Sequence, residues 1–333
     1  MGTLCAQIAA NNGFTVRLWG RNPQRIAELT KTRENKAYLP GVQLPQGIEF
    51  TGDLPAVIRE ADVLVCAVPT QHLRSVLRSA TAAPQPGTPI ISVAKGIENS
   101  TLLCPSELIA AIWPGARVGC ISGPAIAREI AVALPATIVA ASVHEALLAL
   151  MLRLFTTPYL RVYSNADIRG VELAGATKNV IAIAAGILDG IEAGTNAKAS
   201  LMTRGLVEIT RLGAALGAAN ETFSGLAGMG DLVTTCFAPE GRNRRFGQLI
   251  GSGLSTEEAL ARSRGIVEGV PTTESVIDLA RQYTIEMPIS QCLFQVLFER
   301  KSPRAAIADL MRRQPRYEGI SDTHSAPPPA TNA

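Results

Sequence analysis

The sequence has little histidine and no closely paired cysteines, which excludes several common kinds of site. Only His72, His144 and His324 occur in its 333 residues, so an acid–base site built on histidine is a poor expectation. The cysteines are scattered without a CxxC spacing, and they are Cys5, Cys66, Cys104, Cys120, Cys236 and Cys292. Several lie in apolar runs, so we expect small core residues and no metal site.

The sequence also lacks a strong charge excess and a long apolar run. The net charge is +3 with acids and bases interspersed, so no basic stripe indicates nucleic acid binding. The most apolar stretch, around residues 180–188, is shorter than a bilayer span requires. The opening MGTLCAQIAANNG has no basic region followed by an apolar core, unlike a secretory signal. We therefore expect a cytoplasmic protein without a membrane span.

The first half of the chain alternates β-rich runs with helical segments. The runs are TVRLW, GIEF, DVLVCAV, PIISVAK, RVGCIS and ATIVAAS. This alternation is typical of a parallel sheet with crossover helices, and from residue 166 onward the periodicity becomes helical. We predict an α/β fold with a doubly wound, Rossmann-type parallel sheet over 1–165. An all-α domain over 166–318 and a disordered tail over 319–333 are expected to follow.

A dinucleotide-binding domain of this type is expected to begin with a strand, a GxGxxG turn and a helix. This chain opens on a segment that looks like the last glycine of that fingerprint and the helix behind it. We therefore expect the first, central strand and two glycines to be missing, through a misassigned start or a fragmentary gene model. A chain that begins at Met1 is expected to fold poorly and to bind its cofactor weakly.

The stretch 170–190, GVELAGATKNVIAIAAGILDG, carries Lys178 and Asn179 in otherwise apolar surroundings. A buried, unpaired ammonium is costly or has a lowered pKa, so a lysine kept there is expected to have a partner or a substrate. Two plainer alternatives are a lysine that extends to the surface and one that pairs with Glu172. This helix is the first candidate for chemistry.

The residues after TVRLW bear on the choice of cofactor. NAD sites usually carry Asp or Glu at this position, whereas this chain has Gly20, Arg21 and Asn22. An arginine without a competing carboxylate suits the 2′-phosphate of NADP(H), so Arg21 favours NADP(H) over NAD(H). The alternative is an ordinary arginine in a turn.

Several blocks of the chain together resemble one family. They are VRLWGRNP, YLPGVQLP, ADVLVCAVPTQHLR, SVAKGIE, ISGPAIAREIAVALPAT, GVELAGATKNVIAIAAGILDG, NAKASLMTRGLVEITRLG, GLAGMGDLVTTC, GRNRRFG and VEGVPTT. From Gly2 to about residue 312 the chain resembles the bacterial NAD(P)-dependent glycerol-3-phosphate dehydrogenases. The resemblance implies reversible hydride transfer between NAD(P)H and dihydroxyacetone phosphate. The product, sn-glycerol 3-phosphate, is the precursor for glycerophospholipid synthesis.

The resemblance also implies roles for individual residues. Lys178 corresponds to the catalytic lysine, whose ammonium would stabilise and protonate an alkoxide. Asp231 is expected to orient the lysines or to accept a substrate hydroxyl, with assistance from Thr235. The positions implied for substrate binding are Lys95, Gly123, Ala125, Lys178, Asp231, Gly241, Arg242 and Asn243. Those implied for cofactor binding are Lys95, Ala127, Arg242, Ile266 and Glu268.

The chain departs from the family pattern at two of these positions. Family members usually carry Ser where this chain has Ala125 and Gly241, so backbone amides are expected to replace two hydroxyl donors. In GRNRRFG, Arg244 and Arg245 are interpreted as surface residues.

Two other functions remain open at this stage. One is a related Rossmann-and-helical dehydrogenase that acts on a hydroxy acid or an acyl thioester. The other is a truncated relic that binds cofactor poorly and does not turn over. The apolar helical region could also form the face of a homodimer.

Overall fold

The computed structural model describes residues 1–263 and 265–314, so the tail predicted to be disordered lies outside the described residues. The strands are β1 (Val16–Trp19), β2 (Ile48–Thr51), β3 (Leu64–Cys66), β4 (Pro89–Ser92), β5 (Arg117–Ser122), β6 (Ala136–Ala141) and β7 (Leu160–Asn165). The first six coincide with the predicted β-rich runs.

The strands form two sheets. β1 pairs with β2 in parallel, and the larger sheet has the order β3-β4-β5-β6-β7. Its pairs are parallel except β5 with β6, which are antiparallel. The connection between these two strands contains only a short helix, over Ala127–Ala131. The predicted α/β class with a parallel sheet is confirmed, with this one reversed pair.

Helices flank the strands in the first half and make up the second half of the described chain. Those of the first half are α1 (Gly2–Asn11), α2 (Pro23–Thr32), α3 (Leu54–Glu60), α4 (Thr70–Ser79), α5 (Pro105–Ile112), α6 (Ala127–Ala131) and α7 (Glu145–Phe155). Those of the second half are α8 (Ile168–Gly190), α9 (Gly194–Ala215), α10 (Asn220–Ser224), α11 (Asp231–Phe237), α12 (Arg242–Gly251), α13 (Thr256–Arg262), α14 (Gly269–Gln282), α15 (Pro288–Phe298) and α16 (Pro303–Met311). A π-helical turn over Leu226–Gly230 precedes α11.

Helix α8 is the centre of the helical half. It begins at Asp167, whose side chain accepts a hydrogen bond from the backbone N–H of Gly170 at 2.9 Å. Its apolar residues lie all round the helix, and α9, α11, α12 and α14 pack against it. The helix is longer than the apolar run suggested, so its length and composition alone suit a membrane span. Within the protein, however, 94% of that window is buried, as in a core helix.

Helix α12 lies very close to α8 because glycines occupy the contact. A Cβ on Gly186 would lie 1.9 Å from the carbonyl oxygen of Arg244, and one on Gly247 would lie 2.1 Å from that of Ile183. Only residues without a side chain allow two helix backbones to approach so closely. The contact brings the first turn of α12, which contains Asn243, beside the middle of α8.

Glu172 on α8 points toward α5. Its carboxylate accepts hydrogen bonds from the backbone N–H of Ser106, at 2.9 Å, and from the Ser106 hydroxyl. Burial raises the pKa of Glu172 to about 7, although the hydrogen bonds from Ser106 act to lower it. Pairing of Lys178 with Glu172, one alternative from the sequence, is therefore wrong. Glu172 instead joins the helical half to the sheet half.

Candidate active site

Asp231 lies between two lysines from distant parts of the chain. Its Oδ1 accepts a hydrogen bond from Nζ of Lys178 at 2.5 Å, and its Oδ2 accepts one from Nζ of Lys95 at 2.6 Å. Lys178 also donates to Oγ1 of Thr235 at 2.5 Å, and Lys95 donates to the carbonyl oxygen of Gly123 at 3.1 Å. Two ammonium groups thus share one carboxylate, and the cluster is positively charged.

Local structure places each member of this cluster. Lys95 follows β4 and Gly123 follows β5, at the carboxyl edge where parallel sheets bind ligands. Gly123 has a φ of +111°, and a Cβ there would lie 3.2 Å from the backbone of β6, so a side chain would be strained. Asp231 begins α11 and Thr235 lies one turn later, so both side chains reach Lys178 on α8.

Burial and the neighbouring charges shift the pKa values of the cluster. Lys178 is 5% exposed and Asp231 is 2% exposed. Burial lowers the pKa of Lys178 to about 8, although the carboxylate of Asp231 opposes this change. Burial alone would raise the pKa of Asp231, but the ammonium groups of Lys178 and Lys95 outweigh it and hold that pKa below its ordinary value. Lys178 is therefore the member suited to exchange a proton near neutral pH.

A chain of amides connects the cluster to α12 and α14. Nδ2 of Asn179 donates to the carbonyl oxygen of Lys95 at 3.2 Å, and Nδ2 of Asn243 donates to Oδ1 of Asn179 at 2.9 Å. Oδ1 of Asn243 accepts a hydrogen bond from the backbone N–H of Gly269 at 3.0 Å. Asn243, a predicted substrate residue, thus also fixes the position of the segment that contains Glu268.

The predicted cofactor residues Ile266 and Glu268 line a small cavity between α4 and α14, together with Thr70 and Gly96. The carboxylate of Glu268 accepts a hydrogen bond from the backbone N–H of Thr70 at 3.3 Å, and burial raises its pKa. Within residues 1–263 and 265–314, the buried hydroxyl of Thr70 has no hydrogen-bond partner. A buried hydroxyl and carboxylate beside the carboxyl edge of the sheet fit the polar part of a nicotinamide cofactor.

The start of α12 faces the cluster. A Cβ on Gly241, which precedes the helix, would lie 3.2 Å from the carbonyl oxygen of Thr235. Arg242 is exposed, its guanidinium lies close to Gly265, and its charge acts on the carboxylate of Glu268. The first backbone N–H groups of a helix, next to an arginine, form a favourable place for an anion.

The remaining predicted residues are less closely involved. Ala125 and Ala127 follow Gly123 in the chain and pack against the core under the sheet. Arg21 follows β1 and is exposed, and no contact in the described part of the chain joins it to the Asp231 cluster. Its proposed role concerns the far end of the cofactor, so it stays a prediction.

The structure adds two residues that had no predicted role. Asn179 carries the amide chain, and Oγ of Ser122, at the end of β5, lies 3.5 Å from Oδ2 of Asp231. Asn179 could have been found from its position beside Lys178 in an apolar helix, and Ser122 from its place at a strand end. Arg244 was predicted as a surface residue, which is wrong, because it pairs with Asp189 and its side chain is 17% exposed. Arg245 is exposed as predicted.

Together these groups define the chemistry that the site can perform. A lysine with a pKa of about 8 can protonate a developing alkoxide or accept a proton from a hydroxyl. The positive charge beside it stabilises negative charge on the reacting oxygen. Arg242 and the start of α12 can bind an anionic group of the same small molecule.

Comparison with known proteins agrees with this geometry. The sequence model described as NAD-dependent glycerol-3-phosphate dehydrogenase N-terminus matches residues 1–148, and the one described as its C-terminus matches residues 167–308. A Geobacter metallireducens protein named glycerol-3-phosphate dehydrogenase (NAD(P)+) is 46% identical over 320 residues, which cover 95% of this chain and 96% of that protein. A Streptomyces coelicolor protein of the same name is 45% identical over 319 residues, with 95% of each chain covered. The crystal structure of glycerol-3-phosphate dehydrogenase from Coxiella burnetii has a TM-score of 0.89 and 34% identity, and covers 93% of this chain and 95% of that chain.

Proposed function

The chain belongs to the family of NAD-dependent glycerol-3-phosphate dehydrogenases, and on that basis we propose that it interconverts dihydroxyacetone phosphate and sn-glycerol 3-phosphate. The observation that carries this proposal is the carboxylate of Asp231 shared by Lys178 and Lys95 beside the start of α12. The arrangement supplies a proton-exchanging group and an anion site within one region.

Lys178 is the general acid in the direction of reduction. When bound, NAD(P)H would supply the hydride that carbon 2 of the ketone accepts. Negative charge then develops on the carbonyl oxygen, and the Lys178 ammonium stabilises and protonates it. In the reverse direction neutral Lys178 accepts the hydroxyl proton. Asp231 and Thr235 orient its Nζ, while Lys95 adds positive charge next to the reacting oxygen.

The substrate phosphate is assigned to the start of α12. Arg242 provides a charged, two-pronged donor, and the backbone N–H groups after Gly241 provide further donors. Backbone donors take the place of the hydroxyl groups that family members usually carry at Ala125 and Gly241. This assignment explains why a dianionic substrate suits the site.

Cofactor choice and cellular setting complete the proposal. Ala127, Ile266, Glu268, Lys95 and Arg242 are assigned to NAD(P)H. Arg21 is assigned to the 2′-phosphate and favours NADP(H). We place the reaction in the cytoplasm, where its product would enter glycerophospholipid synthesis. A homodimer through the helical half stays a prediction.

The test is oxidation of NADPH, followed by absorbance, with dihydroxyacetone phosphate and with phosphate-free dihydroxyacetone. A charge-assisted hydrogen bond contributes about 1.5–3 kcal/mol, so two of them predict a preference of roughly 100-fold or more in kcat/KM for the phosphate. Arg242→Ala should narrow this preference by slowing the phosphate substrate selectively, while Arg245→Ala should leave it unchanged. Equal use of the two substrates, or faster reduction of a 2-oxo acid, would reject the proposal.

A further inference from the structure

A second, partly buried ion cluster lies at the C-terminal end of α8. Asp189 accepts hydrogen bonds from Nζ of Lys198 on α9, at 2.9 Å to each carboxylate oxygen, and from Nε of Arg244 on α12 at 2.6 Å. Lys198 is 7% exposed. We call these three residues the Asp189 cluster. It fastens the end of α8 to α9 and α12.

The Asp189 cluster also holds the end of α11. Arg244 Nη1 donates to the carbonyl oxygens of Phe237 at 3.2 Å and Ala238 at 3.4 Å, where α11 ends. Nζ of Lys198 lies 4.9 Å from the centroid of the Phe237 ring, within range of a cation–π interaction. The opposite end of this short helix carries Asp231, which contacts Lys178. Any displacement of the helix end therefore moves a residue that touches the catalytic lysine.

The two ion clusters contact opposite ends of α11. Cys236, next to Thr235 in α11, is fully buried, and burial raises the pKa of its thiol to about 12. The ammonium groups of Lys198 and Lys178 both oppose this increase. The buried Cys236 thus lies within α11, between Asp231 at its start and Phe237 at its end.

We propose that Arg244, held by Asp189, is a positioning residue that sets the place of α11 and thereby of Asp231 and Thr235 around Lys178. This inference rests on the proposed function for its kinetic consequence, but its geometric consequence is independent of the substrate. Because Gly186 lets the Arg244 backbone lie against α8, the guanidinium reaches Asp189 and both carbonyl oxygens together.

The experiment compares Arg244→Gln, Arg244→Lys and the neighbouring control Arg245→Gln. Arg244→Lys keeps the positive charge that pairs with Asp189. It loses the planar guanidinium, whose several donors also reach the carbonyl oxygens at the end of α11. Three quantities are measured on each folded variant: kcat and KM for dihydroxyacetone phosphate, the Kd for NADPH, and the titration of Lys178. The titration of Lys178 is followed by NMR of 13Cε-labelled lysine. The Lys178 signal is the one that disappears in Lys178→Ala.

Arg244→Gln is expected to lower kcat about tenfold, to change the NADPH Kd less than twofold, and to shift the Lys178 titration midpoint from that of the wild type, because the distance from Nζ to the Asp231 carboxylate changes. The kcat and the Lys178 titration midpoint of Arg244→Lys should lie between those of Arg244→Gln and the wild type. The same quantities in Arg245→Gln should match the wild type. If Arg244→Gln leaves the Lys178 titration and kcat like those of Arg245→Gln, the positioning role is wrong. If the wild type does not reduce dihydroxyacetone phosphate, the proposed function fails, while the Lys178 titration still decides the role of Arg244.

Discussion

Replacement of Lys178 by alanine is expected to lower kcat for reduction of dihydroxyacetone phosphate by about 10³-fold, within the range for loss of a general acid. The variant loses both the proton donor and the positive charge nearest the developing alkoxide. Asp231 remains paired with Lys95, so the fold should persist. Stopped-flow and steady-state measurements of NADPH oxidation give the rate, and fluorescence titration gives the affinity for NADPH.

The matched control is Lys301→Ala. Lys301 pairs with Asp309 near the C-terminal helices, so this variant loses an ion-paired lysine at another place in the fold. It should retain the wild-type kcat. A loss below about tenfold in Lys178→Ala, with intact NADPH binding, would show that another group donates the proton.

The second large effect is expected from Gly247→Ala on α12. Alanine is favoured over glycine within a helix by about 1 kcal/mol, so propensity alone predicts a more stable protein. The new Cβ, however, would lie 2.1 Å from the carbonyl oxygen of Ile183, and α12 would have to move away from α8. We expect the free energy of unfolding to fall by about 2 kcal/mol or more. The hydrogen bond from Asn243 to Asn179 should be lost as well, with a rise in KM.

Gly230→Ala is the control for this substitution. A Cβ at Gly230 would have its nearest contact at 3.5 Å, with the side chain of Pro124, which is an ordinary van der Waals distance. Its free energy of unfolding, measured by urea denaturation, should stay within about 1 kcal/mol of the wild type. If Gly247→Ala and Gly230→Ala lower the free energy of unfolding to a similar extent, the close packing of α8 and α12 does not explain the need for glycine at position 247.

The features that sequence predicted best depend on local pattern. The apolar runs DVLVCAV and PIISVAK became β3 and β4. β4 is buried on both faces, as its continuous apolar residues predict, whereas Val65 in β3 is 37% exposed. Lys178 was identified because it interrupts an apolar pattern, since a charge within an apolar helix needs a partner. The reversed direction of β6 was not predicted, because its apolar run looks the same in a parallel or an antiparallel pair.

The contacts within the site were harder to predict because they join distant residues. Asp231 and Lys95 are 136 positions apart, and only the family resemblance indicated that Asp231 orients the lysines. Arg244 and Arg245 have the same side chain and differ only in which side of α12 they occupy. Arg244 meets Asp189 because the glycine contact sets the rotation of α12 against α8. Local pattern therefore identified the reacting lysine, while the packing of helices determined its surroundings.

If Lys178 exchanges the proton, kcat in both directions should change with pH around the pKa of this lysine. Because burial lowers the pKa of Lys178 to about 8, ketone reduction, which needs the ammonium, should slow as pH rises through that value. Oxidation of glycerol 3-phosphate needs the neutral amine, so it should accelerate over the same interval. Deuterated NADPH should confirm that hydride transfer limits the measured rate. Profiles that are flat between about pH 7 and 9, or that persist unchanged in Lys178→Ala, would contradict the account.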